Sequence, residues 1–126
     1  MKKRRRNPVN WERQAHWFEG EGGKTKPPSK GVKVQPIQTV MQDIARIDIV
    51  DKLCSELIQA GFTPTRYRVG RTERCEIGTV EQQKCFINRT KRYYLSQQTR
   101  EWAEEYLKEI ERRKPRTPRK PFKCPK

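Results

Sequence analysis

Between Ile37 and Ala60 the apolar positions Ile37, Val40, Met41, Ile44, Ile47, Val50, Leu53, Cys54, Leu57 and Ile58 recur at spacings of three and four, the period of one helical face. That spacing predicts a helix over the whole run. Asp48 followed by Asp51 has the look of a helix start inside it, so two short helices meeting near Ile47 are an alternative to one rod. The far end is clearer. Gly61 supplies a left-handed position, Phe62 an apolar contact that folds back, and Pro64 a block to continuation.

After Pro64 the period falls to two. Arg66-Tyr67-Arg68-Val69 and Arg74-Cys75-Glu76-Ile77 alternate on either side of a Gly70-Arg71-Thr72-Glu73 turn, which reads as a hairpin. Two more runs, Lys84-Cys85-Phe86-Ile87 and Arg92-Tyr93-Tyr94-Leu95, would extend it into a small antiparallel sheet around an Asn88-Arg89-Thr90-Lys91 turn. The competing reading is one helix from Val80 to Leu95, opened by a Thr79-x-x-Gln82 capping box. The sheet is preferred because Phe86 and Ile87 fall badly on any single stripe that includes Val80. Finally, Trp102, Ala103, Tyr106, Leu107 and Ile110 share one face of a helix for which Ser96 is the natural N-cap.

The expected fold class is therefore α+β: a small single domain ordered as helix, short antiparallel sheet or hairpin, and C-terminal helix, flanked by disordered basic arms. The domain should span 36–113, with a basic, aromatic-containing arm and Gly/Pro linker over 1–35 and a Pro-rich basic tail over 114–126. Helices on one side of the sheet would bury Leu53, Leu57, Val69, Ile77, Ile87, Trp102, Tyr106 and Ile110. Arg66, Arg68, Arg74 and Glu76 would face solvent on the other. The order is similar to that of double-stranded RNA-binding domains in topology alone. Where a Lys-Lys-x-Ala-Lys start to the last helix would be needed, this chain has Ser96-Gln97-Gln98-Thr99-Arg100.

Composition narrows the partners. Only 32% of the 126 residues are hydrophobic and 36% are charged, too little apolar surface to order the whole chain. Lys and Arg number 30 against 15 Asp and Glu, a net charge of +15. Residues 1–36 contribute +7, 37–62 contribute −2, 63–95 contribute +5, 96–111 contribute −3 and 112–126 contribute +8. Such an excess points to nucleic acid, an anionic membrane face or an acidic protein. No window approaches the ~18 consecutive apolar residues of a membrane span, and the basic start lacks an apolar signal core. A soluble, unexported chain, cytoplasmic or nuclear, is expected.

Lys2, Lys3, Arg4, Arg5 and Arg6 put five cations in a row, which repel one another unless phosphates lie alongside. Trp11, Trp17 and Phe18 follow, interleaved with Arg13 and His16, and aromatics beside cations suit base stacking. Docking of Trp11 and Trp17 back onto the domain is the structural alternative. In the tail, Pro115, Pro118 and Pro121 favour an extended polyproline strand with Arg116, Arg119 and Lys120 splayed around it, suited to a groove in DNA or in an SH3-type partner.

Catalytic chemistry is scarce. The one histidine is His16, no Cys-x-x-Cys occurs, and Cys75, Cys85, Cys124 and His16 have no standard zinc spacing, so neither metal nor cofactor is expected. The four cysteines read as reduced thiols. Asp43, Asp48 and Asp51 could serve a Mg²⁺-dependent nuclease, the least favoured reading. The favoured one is a non-enzymatic nucleic-acid-binding protein, for RNA or DNA, acting as a ribonucleoprotein component or a viral or phage regulator of transcription. Its expected contacts are the two arms together with Arg66, Arg68, Arg71, Arg74, Arg89, Lys91 and Arg92. The alternative is an adaptor that binds an acidic protein surface, and no small-molecule substrate is expected. The nucleic-acid reading would fail if the surface of the 63–95 block were neutralised by glutamates, or if the charge gave no binding to any polynucleotide near physiological salt.

Overall fold

The structure, a computed structural model, describes residues 9–21, 34–111 and 122–124. In chain order it runs α1 (Trp11–Glu21), β1 (Ile37–Asp43), a 3-10 turn (Ile44–Arg46), α2 (Ile47–Gln59), β2 (Thr65–Val69), β3 (Thr72–Ile77), α3 (Val80–Thr90), a second 3-10 turn (Lys91–Tyr93) and α4 (Gln97–Glu111). The class is α+β. The strands form one antiparallel sheet in the order β1-β3-β2, so β1 and β2 run parallel with β3 between them and α2 as the crossover.

Three elements follow the sequence pattern closely. α2 starts at Ile47 and buries Val50, Leu53, Cys54 and Leu57. Its end is a Schellman motif: Gly61 has φ +100°, its N–H bonds the Ile58 carbonyl at 3.0 Å, and the Phe62 N–H bonds the Leu57 carbonyl at 3.0 Å. The hairpin loop is shorter than the expected four residues, with only Gly70 and Arg71 between strands and Gly70 at φ +60° in the first loop position. α4 is capped by Ser96, whose hydroxyl accepts the Thr99 N–H at 3.3 Å, and it buries Ala103, Tyr106, Leu107 and Ile110.

Elsewhere the sequence reading is corrected. Residues 37–43 form a strand and not the first turns of a helix. A bulge between Gln38 and Val40 brings Ile37 opposite Ile77 and Val40 opposite Cys75, on one face. A strand with a bulge thereby acquires the three-residue spacing of a helix. The order consequently departs from that of double-stranded RNA-binding domains. Residues 80–90 are a helix, as in the competing reading, and not the strand expected at 84–87, and a 3-10 turn over Lys91–Tyr93 stands where the strand at 92–95 was expected. Gln82, Gln83, Cys85, Phe86, Ile87 and Thr90 are all buried, so the helix is covered on more than one side and shows no single stripe.

The fold also reaches back beyond residue 36. Instead of lying in an arm, Trp11–Glu21 is a helix that buries Gln14, Ala15 and Phe18. Phe18 is fully buried, with ring centroids 5.6 Å from Phe86, 5.9 Å from Tyr94 and 5.5 Å from Trp102. Polar groups lock the helix in place: the Gln14 amide donates to the Leu53 carbonyl at 3.0 Å, and the Glu19 carboxylate accepts the Leu95 and Ser96 N–H groups at 2.9 and 2.8 Å. Val69, expected in the core, is 49% exposed at the hairpin end. Among the described residues no helix is long and apolar enough to cross a membrane.

Candidate nucleic-acid interface

Pairing register decides where the hairpin arginines point. Arg66 lies opposite Cys75 and Arg68 opposite Glu73, so both share the face of β3 that packs on α2. Arg74 and Glu76 lie on the other face, with Tyr67 and Gln38. The expectation that all four charged side chains share one solvent face is thus corrected by strand alternation.

Each of these arginines answers a carboxylate or a polar acceptor. Arg66 bridges Asp51 and Glu73, at 3.0 Å to each, and Arg68 reaches the other oxygen of Glu73 at 2.9 Å. Arg71 forks onto Asp43 with contacts of 3.0 and 3.2 Å, while Asp43 also caps the 3-10 turn by accepting the Ala45 N–H at 2.8 Å. Arg74 stands 6.0 Å from the Tyr67 ring and donates to Gln38 at 3.4 Å, and the Tyr67 hydroxyl donates to Glu76 at 2.7 Å. The carboxyl groups register the contacts. Glu73 is held below the usual carboxylate range, first by its bond from Arg68 and then by Arg66; Asp43 is lowered first by the Ala45 N–H and then by Arg71. Four arginines and the four carboxylates Asp43, Asp51, Glu73 and Glu76 leave this hairpin close to neutral and a poor phosphate grip, while Lys84, Arg89, Lys91 and Arg92 of the 63–95 block stand against Glu81 alone within it. Asp43 and Asp51 are also paired with arginines, Arg71 and Arg66. Among the described residues no group of three His, Cys, Asp or Glu is placed to hold a metal ion.

The remaining expected contacts are scattered. Arg13 pairs with Glu56 on α2. Trp11 packs edge-on against Phe62 and Phe86, at 6.1 and 6.2 Å, and Trp17 packs against the cluster around Val40 and Leu53. Arg89 lies beside Phe122 and Cys124 at a shallow groove on α3. Lys91 and Arg92 are exposed on the turn that follows, Arg92 5.6 Å from the Tyr93 ring. Lys2, Lys3, Arg4, Arg5, Arg6, Arg116, Arg119 and Lys120 lie outside the described residues.

Counting charge by region gives a sharper division than the sequence blocks did. The described residues carry 14 basic and 15 acidic side chains, a net −1, and therefore every acidic residue of the chain. The other 16 basic residues all lie in the segments 1–8, 22–33, 112–121 and 125–126.

The cysteines differ from expectation. Cys85 on α3 is disulfide-bonded to Cys124, with Cα atoms 5.6 Å apart and a sequence separation of 39. Beside the bond Phe122 packs on Phe62 at 5.0 Å, so residues 122–124 are held against α3 and the residue that closes α2. No spacing motif announces this pairing, which depends on where the fold brings the tail. Cys54 and Cys75 are buried thiols.

No model of a known protein family matches this chain, and no curated protein matches it.

Proposed function

We propose that this chain is a non-enzymatic nucleic-acid-binding protein, for RNA or DNA, in which a near-neutral folded domain carries cationic flanking segments that grip the phosphate backbone. The observation that carries the reading is the segregation of charge, with 16 basic and no acidic residues outside a domain of net −1. Cations placed together without counter-charges repel one another, and phosphates relieve that repulsion while releasing condensed counterions. The hairpin arginines drop to a minor role in this scheme, because each would have to leave a partner already made. Lys2–Arg6 and Arg116, Arg119 and Lys120 become the principal contacts, with Lys91 and Arg92 as exposed cations on the domain itself. A ribonucleoprotein component or a viral or phage regulator of transcription fits this division of labour.

The test is a salt titration of affinity for matched duplex DNA, duplex RNA and a structured RNA hairpin. The expected result is a preference of about tenfold or more that persists at high salt, ~1.4 kcal/mol, and identifies the polymer. Three curves that collapse together would assign the charge to nonspecific attraction and transfer the arms to an acidic protein surface. A deletion probing the first arm should stop at residue 8, since α1 belongs to the core.

A further inference from the structure

The two halves of the Cys85–Cys124 bond are covered unequally, for Cys85 is 4% exposed and Cys124 lies at the surface. Both line a groove of about 420 Å³ that opens to solvent. Lys84, Asn88 and Arg89 line it from α3, with Arg89 one helical turn after Cys85, and Phe122 borders it beside Cys124. Glu81 is the one carboxylate among these lining residues, so the groove is net positive. Among the described residues Lys84 belongs to no ion pair, and Lys123, next to Cys124 in the chain, is exposed. A disulfide kept only as a tie is best served by covering both sulfurs, whereas one with a sulfur at the surface among cations is open to a thiolate.

We infer that this groove is an exchange site for an anionic low-molecular-weight thiol, which joins Cys124 as a mixed disulfide. The incoming thiolate attacks the Cys124 sulfur; the Cys85–Cys124 bond breaks as the new S–S bond forms, and Cys85 leaves as a thiolate that shares the groove with Lys84 and Arg89. One disulfide replaces another, so no electrons are gained or lost in this step. Return attack by the Cys85 thiolate on the Cys124 sulfur expels the ligand and restores the bond. If a second thiol instead attacks the ligand's sulfur, the two small molecules depart as their own disulfide. Cys85 and Cys124 then take up protons and end as thiols, two electrons having passed to the protein.

Access and charge assign the roles. Burial shields the Cys85 sulfur, so Cys124 is the one attacked. A carboxylate on the thiol is attracted by Lys84 and Arg89 and opposed by Glu81, and the Asn88 amide adds a polar partner. Opening the bond leaves residues 122–124 with the Phe122–Phe62 contact and no covalent tie to α3. The thiol state thereby sets how firmly this stretch is docked. None of this chemistry requires a nucleic acid.

The experiment gives the folded full chain glutathione, 2-mercaptoethanol or cysteamine, an anionic, a neutral and a cationic thiol, at equal thiolate concentration. Samples are quenched with acid, alkylated and mapped by mass, and each rate is divided by the same thiol's rate on the chain unfolded in urea. The expected order is glutathione, then 2-mercaptoethanol, then cysteamine, with the first adduct on Cys124 and Cys85 alkylated. Lys84→Glu should slow glutathione about threefold or more relative to 2-mercaptoethanol and speed cysteamine, the size expected when one surface charge is reversed. Lys84→Gln should fall between. The assignment is overturned if the bond opens only as fast as the folded chain unfolds, if the first adduct sits on Cys85, or if both Lys84 variants shift the three thiols alike.

Discussion

Glu73 is the carboxylate that the hairpin is built around. It is 7% exposed and accepts from Arg66 and Arg68 together. Because its folded-state pKa lies below the ordinary value, its contribution to stability is complete above the carboxylate range, near ~4.3, and is lost as pH falls through the lowered value. Asp43 has the same sign. Urea midpoints should therefore fall as the wild type is acidified below about pH 4. Glu73→Gln should lower the midpoint at pH 7, by leaving two arginines without their carboxylate, and flatten the acid limb. Phe18 offers a second check at this scale. Truncating it to alanine should cost about 3–5 kcal/mol in urea unfolding, as for other large core aromatics, whereas a side chain that only stacked on bases would leave the free protein unchanged.

At the scale of elements, what could be read from the sequence is what presents one apolar face to one neighbour. α2 from Ile47, the hairpin strands and α4 meet that condition, and the Gly61-Phe62 and Ser96 caps marked their ends. β1 does not, because its bulge turns period two into period three at Ile37 and Val40. α3 starts at the Thr79 position the sequence suggested, yet Gln82 makes no reciprocal cap. Its side chain bonds Thr63 instead, accepting the N–H and donating to the hydroxyl, each at 2.9 Å. Gln83, fully buried, joins the Gln35 and Ile77 carbonyls to the Tyr106 hydroxyl, a polar hub that no hydrophobic pattern reveals. α1 was masked by its company of cations and glycines. Deleting residues 1–21 should abolish cooperative unfolding, while deleting 1–8 should preserve it, as followed by circular dichroism. Cys124→Ser removes a link spanning 39 residues and should lower stability by roughly 2–4 kcal/mol in urea unfolding under non-reducing conditions.

Across the whole molecule, the charge that dominates the composition is almost absent from the fold. The hairpin and α1 had seemed from sequence to offer cations and aromatics to a ligand, and the structure uses both internally. The pair of arms remains a reading of the sequence, since Lys2–Arg6, Arg116, Arg119 and Lys120 lie outside the described residues; what the sequence hid is that acidic partners for the middle arginines come from 43 and 51, distant in the chain and adjacent in space. The most direct measurement is the slope of log affinity against log salt for a duplex in three proteins. They are the full chain, a chain with Lys2–Arg6, Arg116, Arg119 and Lys120 changed to alanine, and a chain with Arg68→Gln and Arg71→Gln. Each phosphate contact contributes about 0.9 to the slope. The account predicts that the first substitution set removes most of the slope and the second leaves it within about one contact of the full chain. A slope that survives loss of the arm cations and collapses with the hairpin substitutions would contradict it.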